Sequence, residues 1–439
     1  MRADRGLQPV PIGGATAGLA GVGPLTIAHV QTRMNRTGGC EENTWASCVH
    51  QAESGHDVHL VCGRSSDVDA YRDRHPRIAV HQVNEMVWNI SPADDWAACQ
   101  ALKRLFEDIG ADVIHTHSSK AGVLGRVAGR MAGVPALIHG VHILPFSNVR
   151  LSEKLTYVAI EHAAALATDH FIHVSEGTRA AYRQALVGAS KPHSVVRSGM
   201  KIDQFKGANW PADWQQILGT DHAQHKPVTM LMMAVLEARK RHAEFLEEFA
   251  RITEPGENIR VLLAGDGPEQ ENLEALIASL GLGDRVSLLG YRRDPENLVA
   301  LADFSVLCSL REGLPRVIVQ SLAGGKPAVV SPFPGIEEIV KHGANGVVAS
   351  TREAEDVARE AVSLARDRQR LAAYTAGALE SPVDEWSFSS MFAQLDAAYG
   401  ACLAQPAVAA RLRKKYSSET ANGTSRRQAA SHPSSTASQ

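Results

Sequence analysis

Paired cysteines are missing from this chain. Its six cysteines (Cys40, Cys48, Cys62, Cys99, Cys308 and Cys402) are scattered with no CxxC spacing. That excludes a recognisable zinc pattern and fits reduced thiols in a cytosol better than a disulfide framework. Apolar runs approaching the roughly 18 residues of a membrane span are absent as well, so no transmembrane helix is expected. Excess charge is lacking too: the formal net charge is −3, and no basic domain with interleaved aromatics occurs, which argues against a dedicated nucleic-acid binder. With 44% hydrophobic and 21% charged residues, the composition is that of a globular enzyme rather than a disordered chain.

A chain of 439 residues is too long for one ordinary core, so two domains of similar size are expected. Residues 1–24 are rich in Gly, Ala and Pro and read as a flexible leader, because Pro9, Pro11 and the glycines break any signal-peptide centre. From Leu25 strand and helix alternate: Leu25–Val30, His56–Cys62, Asp112–His115, Ala136–His139 and His170–Val174 read as strands. The alternation restarts near Pro227 with Val228–Met233, Arg260–Ala264, Val286–Leu289 and Phe304–Cys308. Such alternation predicts an α/β fold of two doubly wound Rossmann-like domains, residues 25–203 and 227–380, with a linker at 204–226 and a shared central cleft. The helix Ser389–Leu403 carries Met391, Phe392, Leu395 and Tyr399 on one face and reads as a brace within residues 381–405. Residues 406–439, basic and then Ser/Thr-rich, read as a disordered tail, with attachment to anionic lipid as the alternative.

The densest information lies in Arg311-Glu312-Gly313-Leu314-Pro315-Arg316, running to Gln320 and Gly324-Gly325. A buried strand, a glycine loop, a helix N-terminus opened near proline and another strand follow in order. That layout points free N–H groups and a positive dipole end at the carboxyl edge of a sheet, where a phosphate fits. Glu312 and Gln320 can face the same cleft and hold hydroxyls, and phosphate plus hydroxyls suggests a nucleotide sugar. Gly38-Gly39 read alone as an ordinary turn, but between the first strand and its helix they also let backbone approach a pyrophosphate. Lys240, in Arg239-Lys240-Arg241, stands at the carboxyl end of the second domain's first strand, where a cation meets phosphates. Gly265-Asp266-Gly267-Pro268 reads mainly as a structural turn and helix start, with contact to a base as a secondary role.

His115 and His117 share a strand face, yet no carboxylate accompanies them at a recognised ligand spacing. No metal is therefore expected. One histidine touching a sugar hydroxyl fits better, and His142 is chosen because it follows a strand end beside Gly140. On the helix Ala121–Ala132, Lys120, Arg126 and Arg130 beside Val123, Leu124, Val127 and Met131 read as core packing with a cationic outer rim. A membrane-facing patch for a lipid acceptor is the alternative.

Four stretches carry a family resemblance: THSSKAGVLGRVAGRMAGVPALIHGVHILPF, VSEGTRAAYRQ, LLAGDGPEQENLEALIASLGLGDRVSLLGYRRD and ADFSVLCSLREGLPRVIVQSLAGGKPAVVS. With FPGIEEIVKHGANGVVA after them, they resemble the retaining nucleotide-sugar glycosyltransferases of family four (glycosyl transferases group 1), which have the GT-B fold. The likeness spans about residues 25–405. It implies that Glu312 is the first acid of the family's Glu-x7-Glu motif and binds donor-sugar hydroxyls. The second acid, the usual ribose partner, falls on Gln320, which accepts a hydroxyl hydrogen bond without charge. Lys240 matches the phosphate lysine, Gly39 the N-terminal diphosphate loop and His142 the donor-site histidine. The usual arginine five residues before the lysine falls on Val235, leaving Arg239 or Arg241 as substitutes. Arg239, Gly38, Gly313, Leu314 and Arg316 complete the expected donor site.

The activity implied is transfer of a sugar from a nucleoside-diphosphate sugar to a glycan or lipid-linked acceptor, in cell-surface polysaccharide synthesis. It needs no metal or other cofactor, and it takes place in the cytoplasm or at the inner face of the membrane. A non-catalytic nucleotide-sugar binder and a nucleotide-sugar epimerase are the competing readings. The choice of sugar, donor base and acceptor is expected to depend on pocket shape in the least patterned loops, chiefly Asn84–Asp95 and Ser147–Leu151.

Overall fold

The computed structural model describes residues 23–35, 39–219 and 226–421. Gly38, most of the leader, part of the linker and the last residues lie outside the described set. The first sheet has seven strands: β1 (Thr26–Gln31), β2 (Asp57–Gly63), β3 (Ile78–Val83), β4 (Val113–His117), β5 (Ala136–Val141), β6 (His170–His173) and β7 (His193–Val195). The second has six: β8 (Val228–Met233), β9 (Ile259–Ala264), β10 (Val286–Leu288), β11 (Phe304–Leu307), β12 (Ala328–Val330) and β13 (Gly346–Val348). Their orders, β3-β2-β1-β4-β5-β6-β7 and β10-β9-β8-β11-β12-β13, are doubly wound, and every pairing is parallel.

Strands covered by helices on both faces become continuous apolar runs. β8, Val-Thr-Met-Leu-Met-Met, is buried throughout. The first domain departs from this, because each of its strands carries histidine, as in Val-Ile-His-Thr-His of β4 and His-Phe-Ile-His of β6. These buried rings are tolerated because they bond to one another, to hydroxyls and to amides. The strand order reverses between β1 and β4, and again between β8 and β11. Loops leaving those carboxyl ends frame the crevice where ligands of such sheets bind.

The helix Phe388–Leu403 leaves the second domain and packs Met391, Phe392, Leu395, Tyr399 and Cys402 against Leu25, Ile27, Val113 and Ala136 of the first sheet. The chain thus passes between domains twice, and the two passages touch: Met200 N–H donates to the Trp386 carbonyl at 2.8 Å, with Met200 bridging to Ser387.

Three sequence readings need correction. Residues 406–421 are not a disordered tail but a helix, Pro406–Ala421. Val408 is fully buried. Arg411 meets Asp169 at 2.6 Å, while Lys415 at 2.5 Å and Tyr416 at 2.8 Å hold Asp112. Arg411 and Lys415 of the basic run are thereby paired at the amino ends of β6 and β4, while Arg413 and Lys414 stay exposed. Part of the expected linker also folds: helix Trp214–Leu218 buries Ile217 and Leu218 in the second core. Finally, the helix Ser119–Met131 has no simple cationic rim. Arg126 is 0% exposed and pairs with Glu161 at 3.0 Å, Arg130 pairs with Asp169, and Lys120 with Asp95.

Candidate active site

The second-domain half of the crevice grows from the loops after β8 and β11. After β8 a single 3-10 turn, Ala238–Lys240, leads through Arg241 at φ 59° into helix His242–Ile252. Leu310 N–H donates to the Arg239 carbonyl at 2.9 Å, and the Cys308 thiol to the Lys240 carbonyl at 3.1 Å. These links hold the two loops side by side. Lys240 Nζ then lies 2.5 Å from Glu312 Oε1, and Arg239 Nη1 lies 3.7 Å from the same oxygen. The Lys240 and Glu312 side chains are only 11% and 10% exposed, so the pair attracts more strongly than an exposed one.

The two arginines proposed as stand-ins at Val235 part company here. Arg241 turns away, donating to the Arg352 carbonyl at 2.7 Å and pairing with Glu353 and Glu244. Arg239 is the one beside Glu312. The Gly265–Pro268 segment bonds to the loop after β8, Leu236 N–H donating to the Asp266 carbonyl at 2.8 Å, which accounts for its structural reading.

Across the crevice the Glu312 loop meets the first domain. A Cβ on Gly313 would lie 1.5 Å from the His142 carbonyl oxygen, so only glycine allows this approach. His142 itself follows β5, with Nε2 2.9 Å from His117 Nδ1. Burial lowers its pKa to about 4, which makes it a neutral ring at neutral pH. Arg316, in the first turn of helix Arg316–Ala323, bonds Glu42 at 2.6 Å and the Gly39 carbonyl at 2.9 Å. In this arrangement Arg316 latches the two domains. Leu314 packs on the second core. Gln320 is half-buried, and no hydrogen bond to its side chain occurs among the described residues.

Several contacting residues escaped the sequence reading. Gly177 N–H donates to Glu338 at 3.0 Å, Arg197 reaches Glu338 at 3.3 Å, and Asn148 bonds both the Leu310 carbonyl and Arg352. Gly177 lies in the VSEGT stretch, Glu338 in FPGIEEIVKHGANGVVA and Asn148 in the Ser147–Leu151 loop, but nothing local marked these contacts, and nothing marked Arg197. His29, His115 and His117 form a buried group with ligand-capable nitrogens within 4.8 Å of one another, which β-strand register brings together by placing His29 beside His115 and Gln31 beside His117. His29 bonds His117 and Gln51, His117 also bonds His142, His115 Nδ1 bonds Tyr399, and His115 Nε2 has no hydrogen-bond partner among the described residues.

Comparison with known proteins assigns the chain to a family. The family described as "Glycosyl transferases group 1" matches residues 219–379, and "Glycosyl transferase 4-like domain" matches residues 38–199. An Escherichia coli UDP-Gal:alpha-D-GlcNAc-diphosphoundecaprenol alpha-1,3-galactosyltransferase is 30% identical over 78% of this chain and 89% of its own. The chain belongs to the group 1 glycosyl transferases. A Campylobacter jejuni N,N'-diacetylbacillosaminyl-diphospho-undecaprenol alpha-1,3-N-acetylgalactosaminyltransferase is 24% identical over 62% of this chain and 72% of its own. Among solved structures, Anabaena HepE in complex with UDP and glucose superposes with TM-score 0.69 at 20% identity, covering 86% of this chain and all of that one. Sucrose-phosphate synthase of Thermosynechococcus elongatus gives TM-score 0.71 at 18% identity, covering 87% and 99%. This glycosyltransferase therefore has the GT-B fold. No helix among its described residues is long and apolar enough to cross a membrane.

Proposed function

We propose that this glycosyltransferase takes a sugar from a nucleoside-diphosphate donor and places it, with retained anomeric configuration, on a lipid-linked or glycan acceptor of polysaccharide synthesis. The observation that carries this reading is the Lys240–Glu312 pair, held at 2.5 Å between two loops at the switch point of the second sheet. A donor entering there exchanges one ion pair for two interactions. Lys240 and Arg239 turn to the diphosphate, and the freed Glu312 carboxylate accepts hydrogen bonds from sugar hydroxyls. The N-terminus of helix Arg316–Ala323 adds a positive dipole end.

As the glycosidic bond breaks, negative charge develops on the diphosphate, and these fixed cations stabilise it. In this reading the reaction needs no metal. The sequence offers no convincing protein nucleophile for the reacting carbon, and the resemblance to the retaining family-four enzymes implies that the departing phosphate oxygen takes the acceptor's proton on the face where the acceptor attacks. Contacts between the Gly313 and His142 backbones exclude water and limit hydrolysis. Gln320 is assigned to the ribose hydroxyls.

The undecaprenyl diphosphate named for two relatives supports a lipid-linked acceptor. The exposed Trp88, Ile90 and Trp96 suit peripheral contact with the membrane holding it, since tryptophan favours the lipid–water boundary. The test is a screen of UDP, GDP, ADP and dTDP sugars in EDTA, first for thermal stabilisation and then for transfer to a synthetic polyprenyl-diphosphate sugar. One nucleotide stabilising the protein and supporting transfer is expected; binding without transfer to any acceptor would overturn the catalytic reading.

A further inference from the structure

Inside the first domain, a line of hydrogen bonds runs from a buried amide to His142. Gln51, on helix Gly39–Glu53, is 0% exposed, and its Oε1 lies 2.8 Å from His29 Nε2. His29 Nδ1 lies 2.9 Å from His117 Nε2. His117 Nδ1 lies 2.9 Å from His142 Nε2. The His29 and His117 ring planes differ by only 12°. Gly140 leaves room for the last link, since a Cβ there would sit 3.2 Å from both His117 Nδ1 and His142 Nε2.

A neutral imidazole has one N–H and one lone pair, and each link between two rings uses one of each. The rings are neutral at pH 7, because burial lowers His29 and His142 to about 4 and His117 well below its ordinary value. The direction of the whole line then follows from its buried end. Gln51 turns its amide oxygen to His29, leaving its own Nε2 without a hydrogen-bond partner among the described residues. With that orientation the oxygen only accepts, so His29 carries its proton on Nε2 and accepts at Nδ1. His117 donates from Nε2 and accepts at Nδ1. His142 donates from Nε2, and its Nδ1 keeps the lone pair.

We propose that Gln51, acting through His29 and His117, fixes the tautomer of His142 so that this ring meets the donor sugar as a hydrogen-bond acceptor. The proposal rests on the reading of His142 as a donor-site residue. Gln51, His29 and His117 are positioning residues. Glu312 is acceptor-only as well, so the donor sugar must present free hydroxyls as donors to both sides. A sugar methylated or deoxygenated at the position facing His142 is refused.

The experiment uses full-length protein labelled with 15N-histidine, with long-range proton–nitrogen spectra and a His142→Gln difference to assign the ring. Wild-type His142 is expected as the Nε2–H tautomer. Gln51→Leu should mix or reverse it. In the transfer assay Gln51→Leu should lower kcat about tenfold, the scale of one hydrogen bond. Free-nucleotide affinity should hold. An Nδ1–H tautomer in the wild type overturns the proposal, and that measurement needs no variant to fold. So does a Gln51→Leu rate loss with an unchanged His142 spectrum, the mark of a merely structural role. Unchanged donor-sugar affinity in His142→Gln refutes the donor-site reading separately, whatever the tautomer.

Discussion

Arg316 of the second domain lays its guanidinium against Glu42 of the first at 2.6 Å and donates to the Gly39 carbonyl from its other nitrogen. The side chain is 14% exposed, so this is a partly desolvated, two-point contact across the crevice. Arg316→Ala is expected to loosen closure and lower kcat/KM about tenfold, the scale of one charge-assisted hydrogen bond. The melting temperature should shift little. Glu42→Gln should give a smaller effect in the same assay. A wild-type kcat/KM in Arg316→Ala would remove the latch from the catalytic cycle.

Glu312→Ala deletes the acceptor for sugar hydroxyls and leaves Lys240 without its partner. Turnover should fall by roughly two orders of magnitude or more, with an unchanged circular dichroism spectrum. Near wild-type rates would place Glu312 outside the site.

Gln320→Glu restores charge at the position assigned to ribose. Donor affinity, measured by calorimetry, should stay or tighten, because a carboxylate accepts more strongly from a hydroxyl than an amide does. A severe loss would count against the ribose assignment.

Stability should depend on pH through the buried histidines. His29, His142, His170 and His242 are each lowered by burial to about 4 from an ordinary value of 6.5. Between those values the unfolded chain binds protons that the folded protein does not, so stability rises with pH in this window. Their contribution is full above pH 6.5 and is lost as pH falls from 6.5 through 4. Urea midpoints at pH 7.5, 6.5 and 5.5 should therefore drop across the last interval, and a flat series would show that the rings are hydrated.

Ending the chain at Gln405 removes the Arg411–Asp169 and Lys415–Asp112 pairs and uncovers the buried Val408 site. The loss should reach about 2 kcal/mol or more, read as a fall of several degrees in melting temperature. An unchanged melt would return these residues to the status of a loose tail.

The fold was legible wherever apolar runs were continuous. Val228–Met233 reads as a strand from its sequence and is one with the same bounds. Strand β3, Ile-Ala-Val-His-Gln-Val, was missed because it is an edge strand whose middle residues are part-exposed, so its pattern resembles a loop. Helix Pro92–Asp108 was partly mistaken for loop because its opening turn is acidic and polar. Around the site, Glu312, Lys240 and His142 stood out because each follows a strand end. Arg316 stood out as well, as a donor-site residue, but its bond to Glu42 did not, since the two are 274 residues apart and no local pattern reports a pairing across that separation. The basic run from Arg411 misled for the same reason: the carboxylates that pair with Arg411 and Lys415 lie more than 200 residues earlier.

The hydrogen bond from Met200 to Trp386 turns two separate crossings into a single pivot. With both cords fastened at one spot, a swing of one domain about that spot strains them less than sliding one domain along the other. A protease nick in either crossing would leave the halves joined by the other. The jaws would then still open and shut along the same arc, so cleavage there would cost this enzyme far less than its position between domains suggests.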